Sequence, residues 1–298
     1  MKSFVVRLVN RVSLSAGAWF IGFFAWWVST GYFLFKPSRR RASIELYRIV
    51  FPERSLLYHL YCTWRQFHSF ASTYSDRARM YAGNNVITST KGREHLIELA
   101  RKGTGGVIVM SHMGSYEVAA TAFQELGFRL LLLLGEREAK QVARNQRETM
   151  TAKGVHIHVS SERDDSPFGG LEALKFIREG GFVSVAGDLV WTDQRTRTAV
   201  RFFGQDVGFT SAPHLLAMVS GAPLLTMFTY RAEKGMHQVE ISAPREVKAP
   251  SRSERDRTIQ ASAQAYAETL EGMVRSHPFQ WYVFEPFFPG DMGEGLNR

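Results

Sequence analysis

His112 lies in Ser111-His112-Met113-Gly114-Ser115-Tyr116-Glu117, a segment joining an apolar run to a helical pattern. An imidazole near its ordinary pKa accepts a proton from a hydroxyl at neutral pH. A carboxylate on the other ring nitrogen fixes the tautomer and stabilises the imidazolium that forms. Glu117 stands five residues on, too far to share a helical face, yet a tight turn can fold it back onto His112. Gly114 removes a side chain where a substrate must approach closely. The backbone N–H groups that open the next helix can hold a phosphate or a developing oxyanion, so Gly114 and Ser115 are candidate substrate-binding positions. A bare His-x4-Glu spacing arises often by chance, and the plainer alternative is a satisfied histidine buried at a strand end.

Such residues need a scaffold, and the pattern downstream of residue 93 supplies one. Helical stretches ending at glycine are each followed by a short apolar strand. Residues 95–102 lead to 107–110, 118–126 to 128–134, 140–153 to 155–159, 171–178 to 182–186, and 213–220 to 223–228. Strands this continuously apolar predict an α/β fold with a central, mostly parallel sheet flanked by helices. Residues 239–241 are expected as an edge strand and 259–274 as a helix. Ligands of open α/β sheets sit beyond the carboxyl ends of the strands. On that rim the topology places His112 and Glu117, Glu136-Arg137, Gly187-Asp188 and Tyr230-Arg231.

The chain is 298 residues long, 45% hydrophobic and 22% charged, which suits one large domain or two small ones and excludes a disordered chain. A single cysteine, Cys62, excludes an internal disulfide framework and a cysteine-based zinc cluster. Within residues 1–48, eight basic side chains (Lys2, Arg7, Arg11, Lys36, Arg39, Arg40, Arg41, Arg48) face only Glu45, although the whole chain carries only +9. An excess so concentrated calls for a local anionic partner. Residues 12–35 carry no charge and are rich in Phe, Trp and Tyr, so residues 1–37 are expected as an N-terminal hydrophobic membrane helix, either spanning or lying in the interface. Residues 38–298 then form the globular domain, with a helical part at 38–85 and an α/β core at 86–298. The basic cluster at 36–41 favours a body on the cytoplasmic side of the membrane. Within 38–85 the spacing of Leu57, Leu60, Tyr61, Trp64, Phe67 and Phe70 predicts a helix whose aromatic stripe packs in a core. No Gly-x-Ser-x-Gly elbow, His-Glu-x-x-His pair or Gly-x4-Gly-Lys loop occurs. The basic residues flank an apolar run rather than interleave with aromatics, which argues against nucleic acid.

The run 106–117 resembles the first motif of the lysophospholipid acyltransferase superfamily, in the branch of the lauroyl/myristoyl acyltransferases of lipid A biosynthesis. Further similarities follow in order: Gly187-Asp188, where that family carries Pro-Asp; Arg201-Phe202-Phe203-Gly204 with Phe209-Thr210-Ser211-Ala212-Pro213; Ser220-Gly221-Ala222-Pro223 through Arg231; and Pro278-Phe279-Gln280-Trp281. The resemblance covers nearly the whole chain. It implies transfer of a fatty acyl group from an acyl-carrier-protein or coenzyme A thioester to a hydroxyl of a lipid or glycolipid, such as a lipid A precursor, at a bacterial inner membrane. It further implies His112 as general base, Glu117 orienting it, and Asp188 with Arg144 or Arg147 as a supporting charge pair. Arg231 is a further candidate for binding substrate. No metal or organic cofactor is called for. Two other readings use the same residues: a lipid-binding membrane protein in which His112 and Glu117 are structural, and a lipid or thioester hydrolase in which water replaces the lipid hydroxyl.

Overall fold

The computed structural model describes residues 18–81, 86–135, 151, 154–160, 168–188, 197–232 and 236–288. The chain divides into two units, Met1–Val86 with Val274–Arg298, and Ile87–Met273.

The first unit is helical: α1 (Ala18–Phe35), α2 (Pro37–Val50) and α3 (Leu56–Tyr81). Pro37 opens α2, where a missing N–H forfeits no helical bond. α1 packs along α3. On that side the Ser29 hydroxyl donates to the Ala25 carbonyl (2.7 Å), and Thr30 Oγ1 lies 3.2 Å from His68 Nε2. The buried face of α3 runs through Cys62, Thr63, Gln66, Phe67, Thr73 and Asp76. Gln66 is its hub: Oε1 accepts from the Ser43 hydroxyl of α2 (2.6 Å), and Nε2 donates to the Trp281 carbonyl (2.6 Å). Tyr47 donates to the carbonyl of Pro278 (2.8 Å). The aromatic segment near the C-terminus thus closes this helical unit, with Trp281 fully buried.

Two expectations change here. The aromatic stripe of α3 is only partly core, because Phe67 is buried whereas Leu57, Tyr61 and Phe70 are exposed. The polar residues with partners, not the aromatics, define the inward face. Among the described residues no helix is long and apolar enough to cross a membrane, so the spanning form of the N-terminal helix is not found. Gly22, Ser29, Thr30, Gly31 and Tyr32 dilute the 18 residues of α1. Cys62 behaves as expected of a core residue: it is buried, and burial pushes its thiol pKa up.

The second unit is α/β. Its elements are β1 (Ile87–Lys91), α4 (Arg93–Arg101), β2 (Gly106–Met110), α5 (Tyr116–Glu125), β3 (Leu130–Gly135), β4 (Val155–Ser160), α6 (Phe168–Arg178), β5 (Phe182–Ala186), β6 (Arg197–Phe202), β7 (Gln205–Thr210), α7 (Ala212–Ser220), β8 (Leu224–Arg231), β9 (His237–Ile241) and α8 (Arg255–Ser276). Seven strands form one sheet in the order β1-β9-β8-β2-β5-β3-β4. The pairs β8–β2, β2–β5, β5–β3 and β3–β4 are parallel. β9 runs antiparallel to β8 and parallel to β1. β2, in mid-sheet, is buried along nearly its whole length, as a strand covered on both faces must be.

β9 was expected as an edge strand. It is interior, because β1 pairs along its far side. β1 carries the polar sequence Ile-Thr-Ser-Thr-Lys, which gives no apolar run to read. The hairpin β6–β7 was likewise not expected as strands. Its two-residue turn is Phe203-Gly204, both with positive φ (48° and 75°), the twist that suits a tight hairpin.

Candidate active site

Parallel pairing of β2 with β5 builds the site. Met110 is in register with Ala186 at the carboxyl ends of the two strands. His112 lies two residues beyond Met110, and Asp188 two beyond Ala186, so equal offsets bring them side by side. The His112 backbone N–H donates to Asp188 Oδ2 (2.8 Å), and Nδ1 lies 2.9 Å from Oδ1. One residue therefore holds both carboxylate oxygens, which locks the rotamer of each partner. Asp188 is an acceptor, so Nδ1 carries the proton and Nε2 is the basic nitrogen. The side chain of Asp188 has no exposed surface, whereas that of His112 keeps 21%. A sealed carboxylate thus backs an imidazole with an open edge.

The sequence reading set Glu117 against the ring and Asp188 in a supporting charge pair. The structure sets Asp188 on Nδ1. Glu117 is buried in the first turn of α5. There a carboxylate is favoured by the helix dipole.

Gly114 has φ 67°, and a Cβ there would stand 2.0 Å from the Thr229 carbonyl oxygen. The close approach it permits is therefore to β8. Thr229 is a residue the sequence reading missed. Its buried hydroxyl accepts from the Ser115 N–H (3.1 Å) and lies 3.3 and 3.1 Å from the carbonyl oxygens of Met113 and Ser115. It pins the turn that follows His112 to the neighbouring strand. Ser115 is the N-cap of α5, in an extended conformation, and its side chain makes no capping bond. Arg231 ends β8 in register with His237, two residues past Thr229. Arg144 and Arg147, like Glu136 and Arg137, lie outside the described residues.

Behind the pair stands Tyr266 of α8. Its hydroxyl donates to the Met110 carbonyl (2.7 Å). Burial first, and then the negative charge of Asp188, push its pKa well above the ordinary phenol value, so it remains a donor. Its ring lies edge-on to Phe209 and parallel to Phe228. Among the described residues no three His, Cys, Asp or Glu side chains cluster as metal ligands.

An imidazole with a fixed basic nitrogen, backed by a buried carboxylate, can remove a proton from a hydroxyl and return it to a leaving group. The family model for bacterial lipid A biosynthesis acyltransferases matches residues 5–288, nearly the full length of the chain. No curated protein matches the chain.

Proposed function

Since the chain belongs to the bacterial lipid A biosynthesis acyltransferase family and is an acyltransferase, we propose that His112 is the general base for moving a fatty acyl group from a thioester to a lipid hydroxyl. The observation that carries this reading is the bond between His112 Nδ1 and Asp188 at the ends of β2 and β5. His112 Nε2 takes the proton of the acceptor hydroxyl as its oxygen attacks the thioester carbonyl. The tetrahedral intermediate then collapses. The C–S bond breaks, and the imidazolium protonates the departing thiolate. Atoms and charge balance with no acyl-enzyme. Asp188 holds the tautomer and stabilises the imidazolium. Glu117 supports the turn that carries His112, and the N–H groups opening α5 face the developing oxyanion. Gly114, Ser115, Arg231 and either Arg144 or Arg147 form the substrate side of this reading.

The donor is an acyl-carrier-protein or coenzyme A thioester, and the acceptor is a lipid A precursor in the inner membrane, reached from the cytoplasmic side. Two features support the membrane half. α1 has no charged residue and exposes Phe23, Phe24, Trp27, Tyr32, Leu34 and Phe35. Lys36, Arg39 and Arg41 follow at once and are exposed, as anionic head groups require. The exposed aromatic side of α1 lies in the interface plane while its other side rests on α3.

The direct test is mass spectrometry of membranes that contain lipid A precursors, incubated with the protein and either acyl thioester. The expected product is a lipid heavier by one fatty acyl group. Free fatty acid with no acylated lipid would replace this reading with hydrolysis, and no turnover of either thioester would end it.

A further inference from the structure

The Met110 carbonyl accepts two hydrogen bonds, one from the Gly187 N–H (2.8 Å) and one from the Tyr266 hydroxyl (2.7 Å). Met110 precedes His112 by two residues, and Gly187 immediately precedes Asp188. One main-chain oxygen therefore ties together the two strand ends that present the pair. We propose that Tyr266 is a positioning residue for acyl transfer, holding His112 and Asp188 in register through the Met110 carbonyl; this rests on the reading of His112 as the base.

The fit around this oxygen is specific. A Cβ on Gly187 would stand 2.8 Å from Tyr266 Cε1 and 2.3 Å from Val109 Cγ2. Glycine at 187 is what lets the ring close on the strand ends while its own N–H still reaches Met110. Tyr266 is 2% exposed and lies between Phe209 and Phe228. Its ring position is thus set by packing, and its hydroxyl, which also meets the Ser111 side chain, supplies a directed bond to the Met110 carbonyl. Removing that bond leaves Met110 with Gly187 alone. Ser111-His112 can then drift relative to Asp188, and displacements well under 1 Å matter in such a pair. Among the described residues, Asp188 beyond β5 touches the ring, the charge of Asp188 acts on Tyr266 of α8, and Glu117 is buried in the first turn of α5.

The test is Tyr266→Phe, which keeps the ring and deletes the hydroxyl. Acyl-transfer kcat and KM are measured in wild-type and Asp188→Asn backgrounds, with an NMR titration of the His112 imidazole. The account expects kcat to fall about tenfold with donor KM within about twofold. It expects His112 to titrate at lower pH, because a loosened Asp188 stabilises the imidazolium less. In the Asp188→Asn background the same change costs less than about twofold, since Tyr266 acts through that carboxylate. Wild-type kcat with an unmoved titration would overturn the proposal whatever happened to Tm, and so would a full loss repeated in Asp188→Asn. If the wild-type protein itself transfers no acyl chain, the reaction assignment fails. The His112 titration alone then decides the positioning role: a shift sustains it and no shift ends it. Should Tyr266→Phe not fold, Gly187→Ala, which crowds the same ring, decides on the same readouts and in the same direction.

Discussion

The two units break the ordinary inside-out arrangement in opposite directions. The α/β unit buries acids: Asp188 and Glu117 both lie inside it, and Asp188 is held by two N–H groups of one residue. The helical unit also buries one acid, Asp76 of α3, but its larger departure is on the outside, with Phe23, Phe24, Trp27 and Phe35 open along α1. Each departure costs free energy if it does nothing. A buried carboxylate must be bonded, and a continuous apolar face invites a partner. On the proposed function, the α/β unit gains a proton-transfer pair from its departure and the helical unit gains a surface that suits lipid. One unit would then carry the reaction and the other the contact with a bilayer-borne substrate.

The sharpest way to break this contrast is to neutralise the buried acid. Asp188→Asn should lower kcat/KM for acyl transfer by about 10³-fold and move the acid limb of the pH–rate profile downward, because the imidazolium loses its counter-charge. Asp188→Asn at wild-type rate would leave the buried carboxylate without a catalytic use. Glu117→Gln should cost about tenfold if Glu117 only supports the turn. A loss matching that of Asp188→Asn would make the two acids equal partners of the ring.

A second expectation concerns stability rather than chemistry. Gly114→Ala places a methyl against the Thr229 carbonyl at positive φ and should destabilise the folded protein by about 3 kcal/mol. Thermal unfolding measures it, and an unchanged Tm would mean that the turn after His112 is not tied to β8. His214 offers a test of similar size. It is fully buried, Nδ1 lies 2.8 Å from the Ser262 hydroxyl, and burial pushes its pKa down to about 4. The unfolded chain binds this proton more readily than the folded one. Stability is therefore full above pH about 6.5 and falls toward pH 4, by on the order of 3 kcal/mol from this group. His214→Gln should flatten that part of the stability curve, and an equally steep curve in the variant would assign the acid sensitivity elsewhere.

The smallest expected effect belongs to the helical unit. Phe24→Ser with Trp27→Ser should weaken binding to vesicles containing anionic lipid about tenfold, while changing the stability of the protein by less than about 1 kcal/mol. A variant that binds vesicles as well as wild-type would mean that the exposed side of α1 does not meet lipid.

How much of this was readable in advance depends on which interactions are local. The strand at Phe182–Ala186 is the one the apolar run predicts, since a doubly covered strand shows itself in its own residues. The strand Ile87–Lys91 is polar and paired on one side, so nothing in its composition marks it. That same strand turns 237–241 from an edge into an interior strand, a fact about pairing that 237–241 cannot encode by itself. The site divides in the same way. His112 and Asp188 were both legible as strand-end residues. That Asp188 reaches the Nδ1 side of the ring was not, because β3 and β4 intervene along the chain between two strands that are neighbours in the sheet. Nearness in sequence pointed to Glu117, and strand register brings Asp188 to Nδ1 as well. Tyr266 and Thr229 lay beyond reach for the same reason, since each acts across the fold on a main-chain group.

The claim on which the rest depends is that His112 performs the proton transfer. Its most direct test is the acyl-transfer rate of His112→Ala, in protein whose Tm matches wild-type. The account predicts a loss of about 10³-fold or more. Transfer within about tenfold of wild-type would contradict it, leaving the His112–Asp188 bond a structural feature of the sheet rim.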